Sequence, residues 1–243
     1  QNEHRSVANF LNSMKREPGM TSRDTLLAVT TMSFDISVLE FYLPLITGAR
    51  VILVDRETTS DGLQLAKVLQ EGGVTVMQAT PATWRLLIEA GWQGNRNLKI
   101  LCGGEAMPRD LAKQLLERCD SLWNMFGPTE TTIWSSVYQV FQDEGSIPIG
   151  KPIDNTQIYI LDERLRSVPM GIAGHLHIGG DGLARGYLNR AELTADKFIA
   201  DPCSHDAGHR LYRTGDLARF RSDGNIEFLG RLDFQVKIRG HRI

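Results

Sequence analysis

The run Val74-Thr75-Val76-Met77-Gln78-Ala79, followed at once by Thr80-Pro81, decides how this chain is built. Six residues rich in β-formers end at a hydroxyl cap with proline at the first helical position, a pairing that opens helices. Trp84, Leu87 and Ile88 then share one helical face, and Leu98 to Cys102 returns to a short apolar run. Strand, helix and strand with short links make a right-handed βαβ unit with parallel strands. Upstream, strands are expected at Leu26 to Thr31 and Arg50 to Asp55. Between them Val38, Phe41, Leu45 and Ile46 form a helical stripe, with Ser33 as expected N-cap, Gly48 as stop and a kink at Pro44. A second stripe runs from Leu63 to Leu69 and closes at Gly72-Gly73, and residues 1–17 read as an amphipathic helix ended by Pro18-Gly19. Downstream, Gly103-Gly104-Glu105 turns into a helix through Leu111, Leu115 and Leu116, and Leu122 to Met125 is the next strand.

Ligands of parallel sheets bind beyond the carboxyl ends of the strands. Asp35, Gln78, Gly103-Gly104-Glu105 and Phe126-Gly127 all fall there, which predicts one pocket built from four strand ends. The stretch Asn124-Met125-Phe126-Gly127-Pro128-Thr129-Glu130-Thr131-Thr132 carries what a nucleotide needs. Phe126 offers a ring to a purine, Thr129 and Thr132 offer hydroxyls to phosphate or ribose, and Glu130 offers a carboxylate to Mg²⁺. The same residues also read as a Gly-Pro turn with a helix cap behind it.

After Pro148 the period changes to two. Strands are expected at Gln157 to Leu161, His175 to Ile178 and Ile226 to Leu229, with a hairpin turn at Ser222-Asp223-Gly224-Asn225. This predicts a mainly antiparallel β subdomain over 145–232 after an α/β subdomain over 1–144. Gly179 to Leu188 reads as a glycine-rich turn with a structural role. Asp216 suits a ribose diol or a turn cap, and Arg231 has the fork that matches phosphate. His175 and His177 alternate on a strand with no third ligand near, so no metal site is expected there.

The 243 residues are 42% hydrophobic and 23% charged, ordinary for a globular protein. A net charge of -2 gives no electrostatic case for nucleic acid or an anionic membrane. Apolar runs such as Ala49 to Val54, which includes Arg50, are too short to span a bilayer. Cys102, Cys119 and Cys203 form no C-x-x-C pair, which fits a reducing, cytoplasmic setting. No leader is read at Gln1, and both ends read as interrupted, Ile243 falling inside an alternating run.

In order, Phe34-Asp35-Ile36-Ser37, Asn124 to Glu130, Gly182 to Leu188, Tyr212 to Leu217 and Gly230 to Ile243 resemble the motifs of adenylation domains of non-ribosomal peptide synthetases. These belong to the adenylate-forming superfamily. The resemblance implies the large N-terminal domain of such an enzyme, with residues 233–243 opening a small C-terminal domain. It also implies that the family's phosphate loop precedes His4 and that its C-terminal catalytic lysine follows Ile243, so that this stretch alone would be inactive. The implied chemistry uses ATP and Mg²⁺ to make an aminoacyl-AMP and pyrophosphate. The aminoacyl group then passes to the phosphopantetheine thiol of a carrier domain, with peptidyl carrier and condensation domains as partners.

By the same resemblance Gly104, Glu105, Ala106 and Phe126, followed by Gly127, frame the adenine, and Asn124 reaches its amino edge. Thr129 meets the phosphate, Glu130 the Mg²⁺ and Asp216 the ribose, with Phe228 and Arg231 nearby. Asp233 is the hinge, and Lys237 serves the thiolation conformation. Asp35 pairs with the α-ammonium of an amino acid, although it also reads as a helix N-cap. The side-chain pocket maps onto Ile36, Leu39, Gln78 (with Ala79 as its alternative), Leu101, Gly103, Met125, Ile133 and Trp134. No acid or base stands in that set, and Trp134 and Met125 fill space, so glycine is expected first and alanine second. Two other readings remain: an acyl- or aryl-CoA synthetase, and a non-catalytic binding piece.

Overall fold

The computed structural model describes residues 1–143, 145–204 and 208–232, with the backbone of 237–238 and 241–242. Two compact units are present, and neither is contiguous in sequence. The α/β unit takes residues 14–125, 138–147 and 236–243, and the β unit takes 1–13, 126–137 and 148–235. The change of period at Pro148 thus marks only one of the passages between them. Helix α1 (His4–Met14) belongs almost wholly to the β unit, because Asn9 Nδ2 donates to the Asp154 carbonyl at 2.8 Å and Ser13 Oγ donates to its carboxylate at 3.0 Å. No local period can reveal a bond across 141 or more residues.

The α/β unit runs β1 (Thr25–Ala28), α2 (Ser37–Thr47), β2 (Arg50–Leu53), α3 (Arg56–Ser60), α4 (Gly62–Glu71), β3 (Val76–Ala79), α5 (Pro81–Glu89), β4 (Lys99–Gly103), α6 (Arg109–Leu116) and β5 (Ser121–Phe126). Its strands lie in the order β2-β1-β3-β4-β5, all parallel. Short α3 is an addition to the expected elements, and the Asp55 carboxylate caps it by accepting from the Thr58 N–H at 2.8 Å. Register pairs Gln78 with Leu101, Ala79 with Cys102 and Asn124, and Gly103 with Met125. Successive side chains on a strand face opposite ways. Ala79 and Cys102 therefore enter the core with Leu65, Trp84, Leu87 and Leu111, while Gln78, Leu101, Gly103 and Met125 share the other face.

Helix α2 differs from its expected pattern in its start and in its buried face. It starts at Ser37 rather than behind Ser33, because the carbonyls of Phe34, Asp35 and Ile36 accept from the N–H groups of 37, 38 and 39. It runs unbroken past Pro44 to its stop at Gly48. Its buried face is Ser37, Leu39, Glu40, Leu43 and Pro44, whereas Leu45 and Ile46 are exposed. A helix apolar on most sides leaves the period unable to choose its inner face; packing against the sheet chooses it, and Glu40 is buried on that face.

The β unit carries β6 (Ser136–Gln139, its first two residues), β7 (Lys151–Pro152), β8 (Thr156–Leu161), β9 (Gly174–Gly180), α7 (Ala191–Lys197), β10 (Phe198–Ala200), β11 (Arg210–Phe220) and β12 (Ile226–Arg231). The antiparallel order is β10-β11-β9-β8, with β12 also on β11. Its core holds Ile158, Ile160, Leu176, Ile178, Ala218 and Ile226. The hairpin forms where expected, closed by the Arg221 N–H donating to the Asn225 carbonyl at 2.8 Å. Two further strands, β13 (Lys237–Ile238) and β14 (His241–Arg242), pair antiparallel. No helix among the described residues is long and apolar enough to cross a membrane.

Candidate functional site

In the β unit, residues 126–135 form a loop that closes on itself. Thr129–Thr131 is one turn of 3₁₀ helix, and Thr132 and Ile133 follow with φ of 62° and 74°. Two consecutive β-branched residues in the left-handed region store about 1–3 kcal/mol each. Bonds hold them there: Ser135 N–H donates to the Phe126 carbonyl at 2.7 Å, and Thr131 Oγ1 lies 2.6 Å from Ser135 Oγ. A Cβ on Gly127 would stand 2.3 Å from the Ile133 carbonyl oxygen, so only glycine fits.

The glycine-rich stretch 179–188 is the brace of this loop. Thr132 Oγ1 donates to the Gly182 carbonyl at 2.7 Å, Ala184 N–H to the Glu130 carbonyl at 2.9 Å, and Tyr187 hydroxyl to Glu130 Oε1 at 2.5 Å. A Cβ on Gly182 would meet the Thr131 carbonyl oxygen at 2.8 Å. The expected structural role of this stretch acquires a definite object, and Tyr187 joins Glu130 across 57 residues, where no sequence signal points. Thr132 is buried, and its hydroxyl proton is given to the Gly182 carbonyl. Thr129 is exposed and Glu130 buried.

Asp216 and Arg231 face each other in register on β11 and β12, and Arg231 Nη1 donates to Asp216 Oδ1 at 2.8 Å. Arg231 Nη2 also donates to the Thr214 carbonyl at 3.2 Å, and Thr214 Oγ1 accepts from the Asp216 N–H at 3.0 Å. The arginine thereby holds the aspartate in one orientation. The rings of Phe126 and Phe228 lie 6.4 Å apart, tilted at 41°. One buried carboxylate beside an exposed hydroxyl suits Mg²⁺, which takes one or two carboxylates and completes its shell with substrate phosphates and water. Among the described residues no cluster of three or more His, Cys, Asp or Glu could build an all-protein cage. His177 is buried with Nδ1 3.0 Å from the His175 carbonyl.

In the α/β unit the substrate candidates gather at the carboxyl ends of β1, β3, β4 and β5. Gln78 Nε2 donates to the Ile36 carbonyl at 3.0 Å and to Glu40 Oε1 at 3.2 Å. A Cβ on Gly104 would lie 3.7 Å from Ile36 Cδ1, so the Gly103-Gly104 turn borders the same spot. Gln78, not Ala79, is the residue on that face, because Ala79 sits in the core. Asp35 is half-buried; Ile36, Leu39, Leu101, Gly103 and Met125 are buried. Asp35 stands one residue before Ile36, the N-cap position of α2. Asn124 faces away from the Gln78 side, in register with Cys102; Glu105 is half-buried and Ala106 exposed. Ile133 and Trp134, in the β unit, are buried at 3% and 1% exposure. Asp233 lies outside the described residues, and Lys237 is described only by its backbone in β13.

Glu40, unremarked in the sequence, is fully buried. Its Oε2 accepts from the N–H groups of Val29 and Thr30 at 2.9 Å each, and its Oε1 accepts from Thr30 Oγ1 at 2.5 Å and from Gln78. Burial pushes its carboxyl from 4.5 up to about 7 against the pull of these donors. A raised carboxyl binds its proton more tightly in the folded state. Its contribution to stability is therefore present below pH 4.5 and lost as pH rises through 7. Unfolding free energy is expected to fall by about 3 kcal/mol across that range through Glu40 alone. Urea midpoints between pH 5 and 8 check this, and the slope should flatten in Glu40→Gln.

Residues 1–188 match the family described as AMP-binding enzyme. The chain is 48% identical over 242 residues to the dimodular nonribosomal peptide synthase of Bacillus subtilis (strain 168), covering 98% of this chain and 10% of that protein. Among solved structures it resembles a holo four-domain nonribosomal peptide synthetase bound to AMP and glycine. There the identity is 51% and the TM-score 0.89, over 98% of this chain and 18% of that one. A holo nonribosomal peptide synthetase protein containing adenylation and PCP domains matches at 30% identity and TM-score 0.82, over 92% of this chain and 40% of that one. The chain thus spans about a tenth of the length of the curated relative named here. A parallel α/β unit, an antiparallel β unit and a family match over 188 residues agree, and the chain belongs to the family of AMP-binding enzymes.

Proposed function

We propose that this chain serves a nonribosomal peptide synthetase by activating an amino acid, glycine first and alanine second, as its adenylate. The observation that carries the proposal is the clustering of the Asp35-Ile36 segment with Gln78, Gly103 and Gly104 at the ends of parallel strands. The half-buried Asp35 carboxylate suits an α-ammonium, because opposite charges attract more strongly where water is partly excluded. The bound glycine of the 51% identical relative supports the small side chain.

In the reaction a substrate carboxylate oxygen attacks the α-phosphorus of ATP, and the bond to pyrophosphate breaks. Positioning and charge neutralisation do most of this work. Asp35 holds the ammonium, and Asp216, fixed by Arg231, accepts from the ribose hydroxyls. Gly104, Glu105, Ala106 and Phe126 frame the adenine, Asn124 reaches its edge, and Thr129 donates to phosphate. Glu130, oriented by Tyr187, would hold Mg²⁺, which neutralises phosphate charge when bound. The acyl group then passes to the phosphopantetheine thiol of a peptidyl carrier domain, with AMP leaving. Condensation domains are further partners, Asp233 is the hinge, Lys237 serves thiolation, and the setting is cytoplasmic.

The test is amino-acid-dependent ATP–pyrophosphate exchange by the synthetase that carries this chain, with all proteinogenic amino acids. Glycine should give the strongest signal. Trp134→Ala is expected to lower kcat/KM for glycine about tenfold and to admit larger side chains, since one or two methylenes are worth about 1–3 kcal/mol. A bulky preference in the wild type removes the glycine reading. Exchange only with acids that lack an amine replaces amino-acid activation with acyl- or aryl-acid activation.

A further inference from the structure

We propose that Glu40 is a positioning residue for the amino-acid site, which it sets through Gln78 and the Ile36 carbonyl. The inference rests on the reading of Asp35 as the ammonium partner. Glu40 sits inside α2, fully buried, and makes no part of any motif quoted for the site. Its two oxygens gather four donors from two other segments: the N–H groups of Val29 and Thr30 and the Thr30 hydroxyl, just after β1, and the Gln78 amide on β3. The same Gln78 amide donates to Ile36, the neighbour of Asp35. One carboxylate therefore ties together the end of β1, the end of β3 and the entry to α2.

The chemistry makes Glu40 hard to replace. Once ionised, above about pH 7, the carboxylate is acceptor-only, and all four groups facing it are donors in this arrangement. A glutamine at 40 brings an NH₂ group of its own. Its carbonyl can serve the N–H groups of 29 and 30, and its amide can donate to the Thr30 hydroxyl. The Gln78 amide then faces another amide and must rotate, which presents an oxygen to the Ile36 carbonyl and breaks that bond. Glu40→Gln thus removes the tether of the Asp35-Ile36 segment at nearly constant volume. Gln78→Met removes the same tether from the other side and leaves the bonds of Glu40 to Val29 and Thr30 in place.

The experiment is pyrophosphate exchange and thermal unfolding of the whole synthetase with either variant. The expected result is a KM for glycine raised about 10- to 100-fold in both. The KM for ATP should hold within about twofold and kcat within about threefold, with the cooperative unfolding transition retained. A glycine KM unchanged in both variants overturns the proposal. So does a parallel collapse of kcat, both KM values and the unfolding transition in both variants, which marks a merely structural tie. If the wild type exchanges only with acids lacking an amine, the Asp35 reading falls first and this inference falls with it. Wild-type exchange with glycine separates that case from failure of Glu40 alone.

Discussion

Gly127→Ala is expected to abolish pyrophosphate exchange and to lower the thermal midpoint of the domain. The added methyl would stand 2.3 Å from the Ile133 carbonyl oxygen, 2.6 Å from Trp134 Cα and 2.7 Å from the Ser135 nitrogen. All three are backbone atoms, so no side-chain rotation relieves the clash. The loop cannot open cheaply either, because Ser135 is bonded to Phe126 and Thr132 to Gly182. Overpacking of this kind costs about 3 kcal/mol or more. Whatever shift relieves it must move Phe126, Glu130 or Trp134, and a displacement of about 1 Å at positioned groups costs on the order of 100-fold in rate. Calorimetry and exchange on the purified variant measure both effects. Wild-type values for the two would show that residues 127–135 are not the rigid loop described.

Asp35→Ala is expected to reduce kcat/KM for glycine by about a thousandfold. Truncating one member of a desolvated charge pair costs about 2–5 kcal/mol, because the surviving charge stays buried without its partner. Asp35→Asn should lose nearly as much, since an amide keeps the shape and removes the charge. The KM for ATP should stay within about twofold in both, because the role proposed for Asp35, at the entry to α2, is toward the amino acid and not the nucleotide. A small carboxylic acid without the amine supplies the control, and its weak exchange should be unchanged or improved by the alanine. Glycine activity within tenfold of wild type would remove Asp35 from the ammonium site.

The strand–helix alternation of the α/β unit was legible because local chemistry repeats it. Thr80-Pro81 opens α5, Gly48 closes α2, and apolar runs such as Leu98 to Cys102 contain strands buried on both faces. Period two likewise announced β8, β9 and the 222–225 hairpin. Short α3 and the strands β6, β7 and β10 carried no such signal, for two to five residues give a period too little length to register. The apolar face of α2 was misread for a different reason. Val38, Phe41, Leu45 and Ile46 match a helical stripe as well as Leu39, Leu43 and Pro44 do, and only the sheet against which the helix packs chooses between them.

By itself, then, the sequence determined the element types over most of the chain, the order of its motifs and the identity of the residues at strand ends. These follow from propensity, capping and alternation, which act over a few residues. Tertiary structure alone decided that residues 1–13 and 126–137 group with the later chain, that Tyr187 orients Glu130, and that Thr132 braces the loop. It also decided that Glu40 is an interior carboxylate joined to Gln78. Each of these is a hydrogen bond or a burial between segments from 10 to more than 140 residues apart, and such partners are set by packing rather than by neighbours in the chain.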